Sequence, residues 1–271
     1  MGILKKKLGV PYLISSIEGA PYLKGTIKSY LYKLLYYLIR LRIDKVIALC
    51  SYSKKQVNSE YNVIAERTEV IYSGLNVNNF DFPKRINSDQ KNLKIGFLGD
   101  ISEGKRISLF IDIIPDIIEI YPNTRFIVGG IGSDLNKMKN IVKEKKIDKN
   151  VEFKGFIYDV NSFYKEIDLY VFLSHREGLP WVILESQAAG VPTIASNVGG
   201  VSEIINDNIN GKLLKAGNRE ELINELLSLM QDYYRRQRFS NESRKRVCEN
   251  FSIEKEVQEI QNVYKSLCSP D

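Results

Sequence analysis

Short runs of β-branched and aromatic residues recur along this chain, and most are followed by a longer amphipathic run. That alternation constrains the fold strongly. A strand buried on both faces reads as continuous apolar sequence, whereas the helix that crosses back over it is apolar on one stripe, so the pattern predicts βαβ units in a parallel sheet. From residue 94 onward, strands are predicted near 94–98, 125–129, 151–154, 168–173, 192–195 and 212–214. Helices near 106–120, 132–146, 160–166, 181–189 and 200–205 fill the gaps and give a doubly wound domain, after which residues 218–268 read as helices only.

The opening third follows the same pattern less completely. Strands are predicted at Val10–Ile14, Lys45–Leu49 and Glu69–Ile71, with helices near 27–41 and 52–60. Residues 73–93, SGLNVNNFDFPKRINSDQKNL, are rich in Asn, Asp, Lys and Pro without periodicity, as an interdomain linker should be. The predicted division is a partial domain over 1–77, a linker over 78–93, a doubly wound domain over 94–217 and C-terminal helices over 218–271. A chain of 271 residues can bury a substantial core in one or two such domains.

Charge is distributed unevenly. Residues 1–92 carry 15 Lys and Arg against 7 Asp and Glu, so the net +6 belongs to the first third. Such a segment suits anionic lipid or an acidic acceptor, and no nucleic-acid module is recognisable. Cys50, Cys248 and Cys268 are odd in number and lack C-x-x-C spacing, which argues against a disulfide framework or a zinc site and fits a reducing cytosol. The N-terminal MGILKKKLGVPYLI has no apolar core of signal-peptide length, and nothing approaches 18 uninterrupted apolar residues. The stretch from Thr26 to Arg42 has apolar and tyrosine positions crossed by Lys28, Lys33, Arg40 and Arg42. Two readings are open: a helix packing its apolar stripe on its own domain, which is the simpler, or one lying on a membrane surface. Tyr30, Tyr32, Tyr36 and Tyr37 read as a packing face.

The densest concentration of chemistry lies between Ser174 and Gly211, where Glu177 and Glu185 flank a Gly-Leu-Pro turn. One continuous helix would set the two carboxylates about 80° apart, but Gly178 and Pro180 argue against it. Pro180 suits the first turn of a new helix. With Asp168–Leu173 as a buried strand, Glu177 falls in the loop beyond its carboxyl end and Glu185 on the following helix. Both can then face the crevice where open α/β sheets bind ligands.

These residues resemble glycosyltransferase family 4, whose signature places E-x7-E in a setting close to S-x-x-E-G-x-P-x-x-x-x-E-x-x-A-x-G-x-P. Ser174, Glu177, Gly178, Pro180, Glu185, Ala188, Gly190 and Pro192 match it, followed by Gly199-Gly200, Glu203 and Asn210-Gly211. The resemblance spans nearly the whole chain but only the later part of a full member. It implies a GT-B fold with a complete C-terminal Rossmann-like domain and a partial N-terminal one, whose opening strands would be missing or supplied by a second chain. It also implies metal-independent sugar transfer with retention of configuration from a nucleoside-diphosphate sugar, UDP or GDP most readily, without a cofactor. The acceptor would be a glycan or a lipid-linked glycan. The setting would be cytoplasmic, with peripheral contact at the inner membrane face. The alternative is a non-catalytic nucleotide-sugar-binding half that works only with a partner chain.

The resemblance also distributes roles. The family meets the diphosphate with G-R-x-x-x-x-K; here Gly99 and Lys105 match, Asp100 stands in place of the arginine, and Arg106 is the candidate substitute. Glu185 would accept hydrogen bonds from the ribose hydroxyls, and Glu177 would sit by the transferred sugar. The Gly178-Leu179 backbone and the helix start after Pro180 would offer N–H groups to phosphate. Gly199, in a turn before a second helix start, and Gly132, in the run Gly129–Ser133, would line the cleft. Phe156 would bracket the base, a core aromatic being the plainer reading. His175, the only histidine, invites a general-base role, although the family's usual histidine lies in the missing part.

Overall fold

A computed structural model describes residues 12–17, 30–31, 34, 43–61, 65–82 and 92–268. It divides the chain into two compact units, Met1–Gly74 with Phe251–Asp271, and Leu75–Asn250.

In the larger unit, the predicted apolar runs become six parallel strands: β4 (Lys94–Leu98), β5 (Arg125–Gly129), β6 (Val151–Gly155), β7 (Leu169–Phe172), β8 (Thr193–Ser196) and β9 (Lys212–Leu214). Their spatial order is β6-β5-β4-β7-β8-β9, the 3-2-1-4-5-6 order of a doubly wound Rossmann-like sheet. The order reverses between β4 and β7. Strand direction is uniform, so the carboxyl ends of all six strands lie on one edge. Ile95, Phe97, Phe126, Val128, Leu169, Val171 and Ile194 are all buried and belong to one apolar cluster.

Helices fill the crossovers. They are α2 (Ile107–Asp112), α3 (Ile114–Ile120), α4 (Leu135–Glu144), α5 (Val160–Glu166), α6 (Trp181–Ala188) and α7 (Val201–Ile204). The helix expected over 106–120 is two, with a break at Ile113, because Pro115 lacks the N–H that would continue the ladder. The start of the expected linker is packed. Phe80 is buried, its carbonyl accepts from Arg244, and Asp81 pairs with Lys165. Residues 83–91 of that linker lie outside the described residues.

Two further helices complete this unit, α8 (Arg219–Gln231) and α9 (Tyr233–Asn250). The charged run of α9 is a set of helix caps. Arg236 donates to the carbonyls of Leu229 and Met230 at the end of α8, Arg244 to Ala188 at the end of α6, and Arg246 to Glu203 and Ile204 at the end of α7. Each guanidinium thus meets carbonyls that a helix cannot satisfy itself and the negative end of its dipole. Arg236 is the most buried of the three. Substituting it by Met should destabilise the fold by about 1–3 kcal/mol, since two carbonyls lose a charged donor. Urea unfolding of Arg236→Met and the parent measures this, and equal midpoints would refute the capping role.

The smaller unit holds a parallel sheet of β1 (Ile14–Ile17), β2 (Lys45–Ala48) and β3 (Thr68–Val70), with α1 (Ser51–Tyr61) between the last two. β1 starts later than Val10–Ile14 because its entry is pinned: Leu13 N–H donates to the Asp44 carboxylate and Asp44 N–H to the Leu13 carbonyl. The helix expected near 27–41 falls almost wholly outside the described residues, as do Tyr32, Tyr36 and Tyr37. Helix α10 (Ile253–Cys268) belongs here, whereas the sequence reading grouped all of 218–271 together. Its stripe of Ile260, Val263 and Leu267 packs with Ile14, Ile47 and Ile71. The chain enters α10 closely past Gly74, where a Cβ would lie 2.5 Å from the Ser252 carbonyl. No helix among the described residues is long and apolar enough to cross a membrane.

Candidate functional site

The loops that leave the carboxyl ends of β4, β5, β7 and β8 gather most of the candidate residues. Leaving β4, the chain passes Gly99 and Asp100 and makes a short 3-10 turn, Glu103–Lys105, with Arg106 left-handed at φ 50° and ψ 36° before α2 begins. The loop after β7 lies across this turn. His175 N–H donates to the Gly104 carbonyl at 3.0 Å, and the Ser174 hydroxyl donates to the same carbonyl at 3.3 Å.

Side chains join the same two loops. The Lys105 ammonium meets Glu177 Oε1 at 2.5 Å, with the Glu177 side chain 12 % exposed and that of Lys105 32 %. Lys105 also stands 5.9 Å from the ring centre of Phe172 at the end of β7. Arg106 places Nε and Nη2 at 3.2 and 3.0 Å from His175 Nδ1. Arg106 thus meets His175, in the loop that carries Glu177. Asp100 turns elsewhere, its Oδ1 lying 2.7 Å from where a Cβ on Gly132 would be.

Glu185, on α6, is partly buried. The Tyr164 hydroxyl lies 2.8 Å from the Val182 carbonyl and 3.3 Å from Glu185 Oε2, so one proton is shared between two acceptors. Burial holds the Glu185 pKa above the ordinary carboxylate value, partly offset by that hydrogen bond. Tyr170 sits beside Tyr164 at 5.6 Å between ring centres and donates to the Leu98 carbonyl at the end of β4. Its own pKa is raised by burial first, and then by the charges of both Glu185 and Glu177. Both carboxylates thus act on one hydroxyl at the point where strand order reverses.

The raised pKa has a pH consequence. A carboxyl group whose pKa is higher folded than unfolded destabilises the fold above that pKa, and the penalty fades as pH falls toward the unfolded value near 4.5. Glu185→Gln should therefore be more stable than the parent at pH 8, with the difference shrinking toward pH 4.5. Urea unfolding across that range measures it, and a difference that grows on acidification would contradict the burial of this charge.

Glycine sets how closely the loops approach. Gly130, at φ 127°, would put a Cβ 1.8 Å from the Gly99 carbonyl, and Gly199, at φ 59°, would put one 1.9 Å from the Glu177 carbonyl. Next to it, Gly200 N–H donates to the Gly178 carbonyl at 2.8 Å. Leu179 is buried. Phe156 is exposed beyond β6, 4.8 Å from Tyr158, and lines a cavity of 220 Å³ with Lys154, Asp159 and Glu166. No sequence signal pointed to Tyr164, Tyr170 or Gly217, whereas Gly130 lies in the run Gly129–Ser133 already expected at the cleft. The two tyrosines carry no local motif, and Gly217 is noticed only because Arg106 packs on it.

The comparisons with known proteins agree with this architecture. A glycosyltransferase of Methanocaldococcus jannaschii, itself uncharacterized, is 30 % identical over 271 residues, which is 98 % of this chain and 71 % of the relative. The UDP-Gal:α-D-GlcNAc-diphosphoundecaprenol α-1,3-galactosyltransferase of Escherichia coli is 25 % identical over 275 residues, 97 % of this chain and 71 % of that one. The chain spans only 62 % of a second M. jannaschii glycosyltransferase, 28 % identical over 241 residues and 84 % of this chain. Anabaena HepE, solved in complex with UDP-glucose, superposes with a TM-score of 0.84 at 20 % identity, over 98 % of this chain and 75 % of its own, which establishes a shared GT-B fold. Residues 78–246 match the family model for the group 1 glycosyl transferases, nearly the same residues as the larger unit, and the chain belongs to that family.

Proposed function

We propose that the protein is a retaining, metal-independent glycosyltransferase of family 4 that moves a sugar from a nucleoside-diphosphate sugar to a hydroxyl of a glycan or lipid-linked glycan. One observation carries the reading: two cations, Lys105 and Arg106, stand at the strand-order reversal together with a partly buried carboxylate, Glu185, whose pKa is raised by desolvation. Cations suit a diphosphate, and a partly buried carboxylate, which only accepts hydrogen bonds, suits ribose hydroxyls. UDP is the first candidate nucleotide, since HepE was solved with UDP-glucose and the E. coli relative is named for UDP-Gal. The latter's diphosphoundecaprenol-linked acceptor supports a lipid-linked glycan.

In this reading Lys105 turns from Glu177 to the diphosphate as negative charge grows there, and Glu177 is released to hold a sugar hydroxyl. The bond from the anomeric carbon to the phosphate oxygen breaks, the acceptor oxygen bonds the same face, and its proton passes to the departing phosphate. Stabilisation of the leaving group by preorganised cations supplies most of the acceleration. The test is to incubate the chain with UDP-glucose, UDP-galactose, UDP-N-acetylglucosamine and GDP-mannose in the presence of a lipid-diphosphate-linked acceptor, following products by NMR. An α-linked product from an α-linked donor is expected. A β-linked product would eliminate retention, and no consumption of any donor would remove the transferase assignment.

A further inference from the structure

Arg106 is held in place without being neutralised. Its backbone is left-handed, a region a residue with a Cβ enters at a cost and keeps only when its surroundings enforce it. One edge of its guanidinium, Nε and Nη2, faces His175 Nδ1 from the loop after β7. Nη1 lies against Gly217 in the loop after β9, 1.8 Å from where a Cβ on that glycine would be. Among the described residues no carboxylate pairs with Arg106. Loops from three strands therefore fix a cation that keeps its full charge beside Lys105.

The chemistry of the contact assigns the histidine's state. Arginine is always protonated and offers only donors, so Nδ1 must be the unprotonated nitrogen and the ring proton must sit on Nε2. A carboxylate at position 175 would hold Arg106 equally well but cancel its charge, and a cationic side chain would expel it. A neutral acceptor does neither. The ring is also anchored from its own backbone, through His175 N–H to the Gly104 carbonyl in the turn that carries Lys105 and Arg106.

We infer that His175 is a positioning residue, a neutral acceptor that orients Arg106 for the donor's diphosphate without neutralising it. This rests on the donor-site reading above. It replaces the general-base role that a lone histidine suggested, because Nδ1 is committed to the guanidinium.

Titration calorimetry of UDP against the whole chain decides the matter, with three variants compared at one pH. His175→Ala should weaken UDP about tenfold, consistent with loss of a hydrogen bond to a charged group. His175→Asn puts an amide oxygen close to the position of Nδ1 and should recover most of that loss, whereas His175→Asp should bind less well than Asn because it cancels the charge. Uridine, which lacks phosphate, should bind the parent and all three variants alike. Because the chain has one histidine, ¹⁵N NMR of its ring reads the tautomer directly, and Nε2–H is expected in the parent. A ring protonated on Nδ1, or Ala and Asn variants that bind UDP as the parent does, would overturn the positioning role and leave the donor site standing. Failure of the parent to bind UDP at all would remove the donor site and this inference with it.

Discussion

Lys105→Ala should lower turnover by roughly 10²–10³ while changing the donor KM much less. The ammonium meets charge that develops as the diphosphate leaves, so its loss is felt mainly in the transition state, as for an oxyanion-hole donor. Removing Lys105 also leaves Glu177, only 12 % exposed on its side chain, without its ion-pair partner. Lys105→Arg separates the two effects, since it keeps the charge and the pair but changes the donor geometry. It should recover part of the rate. Steady-state kinetics on both variants is the measurement, and a Lys105→Ala enzyme with parental turnover would exclude the lysine from the chemistry.

Gly130→Ala should destabilise the fold by about 3 kcal/mol or more, at the upper end of ordinary single substitutions. The added Cβ would stand 1.8 Å from the Gly99 carbonyl, at a φ of 127° that side chains avoid. Neither loop can yield freely: Gly130 N–H donates to the Gly155 carbonyl at 2.7 Å, and Gly99 N–H to the Gly129 carbonyl at 3.1 Å. Gly104→Ala is the control. Only the Ser102 hydroxyl, at 3.8 Å, comes near its added Cβ, so its effect should fall within about 0.5 kcal/mol. Equal unfolding midpoints for the two variants would show that the β4 and β5 loops are not packed as described.

Much of the larger unit was legible because its strands advertise themselves. Lys94–Leu98, Arg125–Gly129 and Lys212–Leu214 match their predicted spans, each an apolar run bounded by turn residues. Parallel strands buried on both faces leave little else for such runs to be. What could not be read was where amphipathic helices dock. The apolar stripe of α10 announces that Val263 will be buried, but not that it packs with Ile47 and Ile71, about two hundred residues earlier.

The candidate site divides along the same line. Glu177, Glu185 and Lys105 were singled out by motif spacing, and the structure brings Glu177 and Lys105 into contact, while burial and then the charges of both glutamates raise the Tyr170 pKa. The left-handed backbone of Arg106 has no signal in the sequence, since glycine or asparagine would be the usual mark of such a position. Nor does Tyr164 point to Glu185 by spacing, because the pair meets across two separate βα units. Phe156 remains proposed for the base, but its recorded contacts are with Tyr158 and the cavity beyond β6.

The proposed donor site at the strand-order reversal of the larger unit would hold a nucleoside diphosphate, with Glu185 gripping one end. Titration calorimetry of UDP against the whole chain and its Glu185→Ala variant tests this most directly. UDP should bind the parent, and the variant should lose about 10- to 100-fold in affinity, as expected for hydrogen bonds to a charged acceptor worth roughly 1.5–3 kcal/mol. Equal affinities in a folded variant, or no binding of UDP or GDP by the parent, would contradict it.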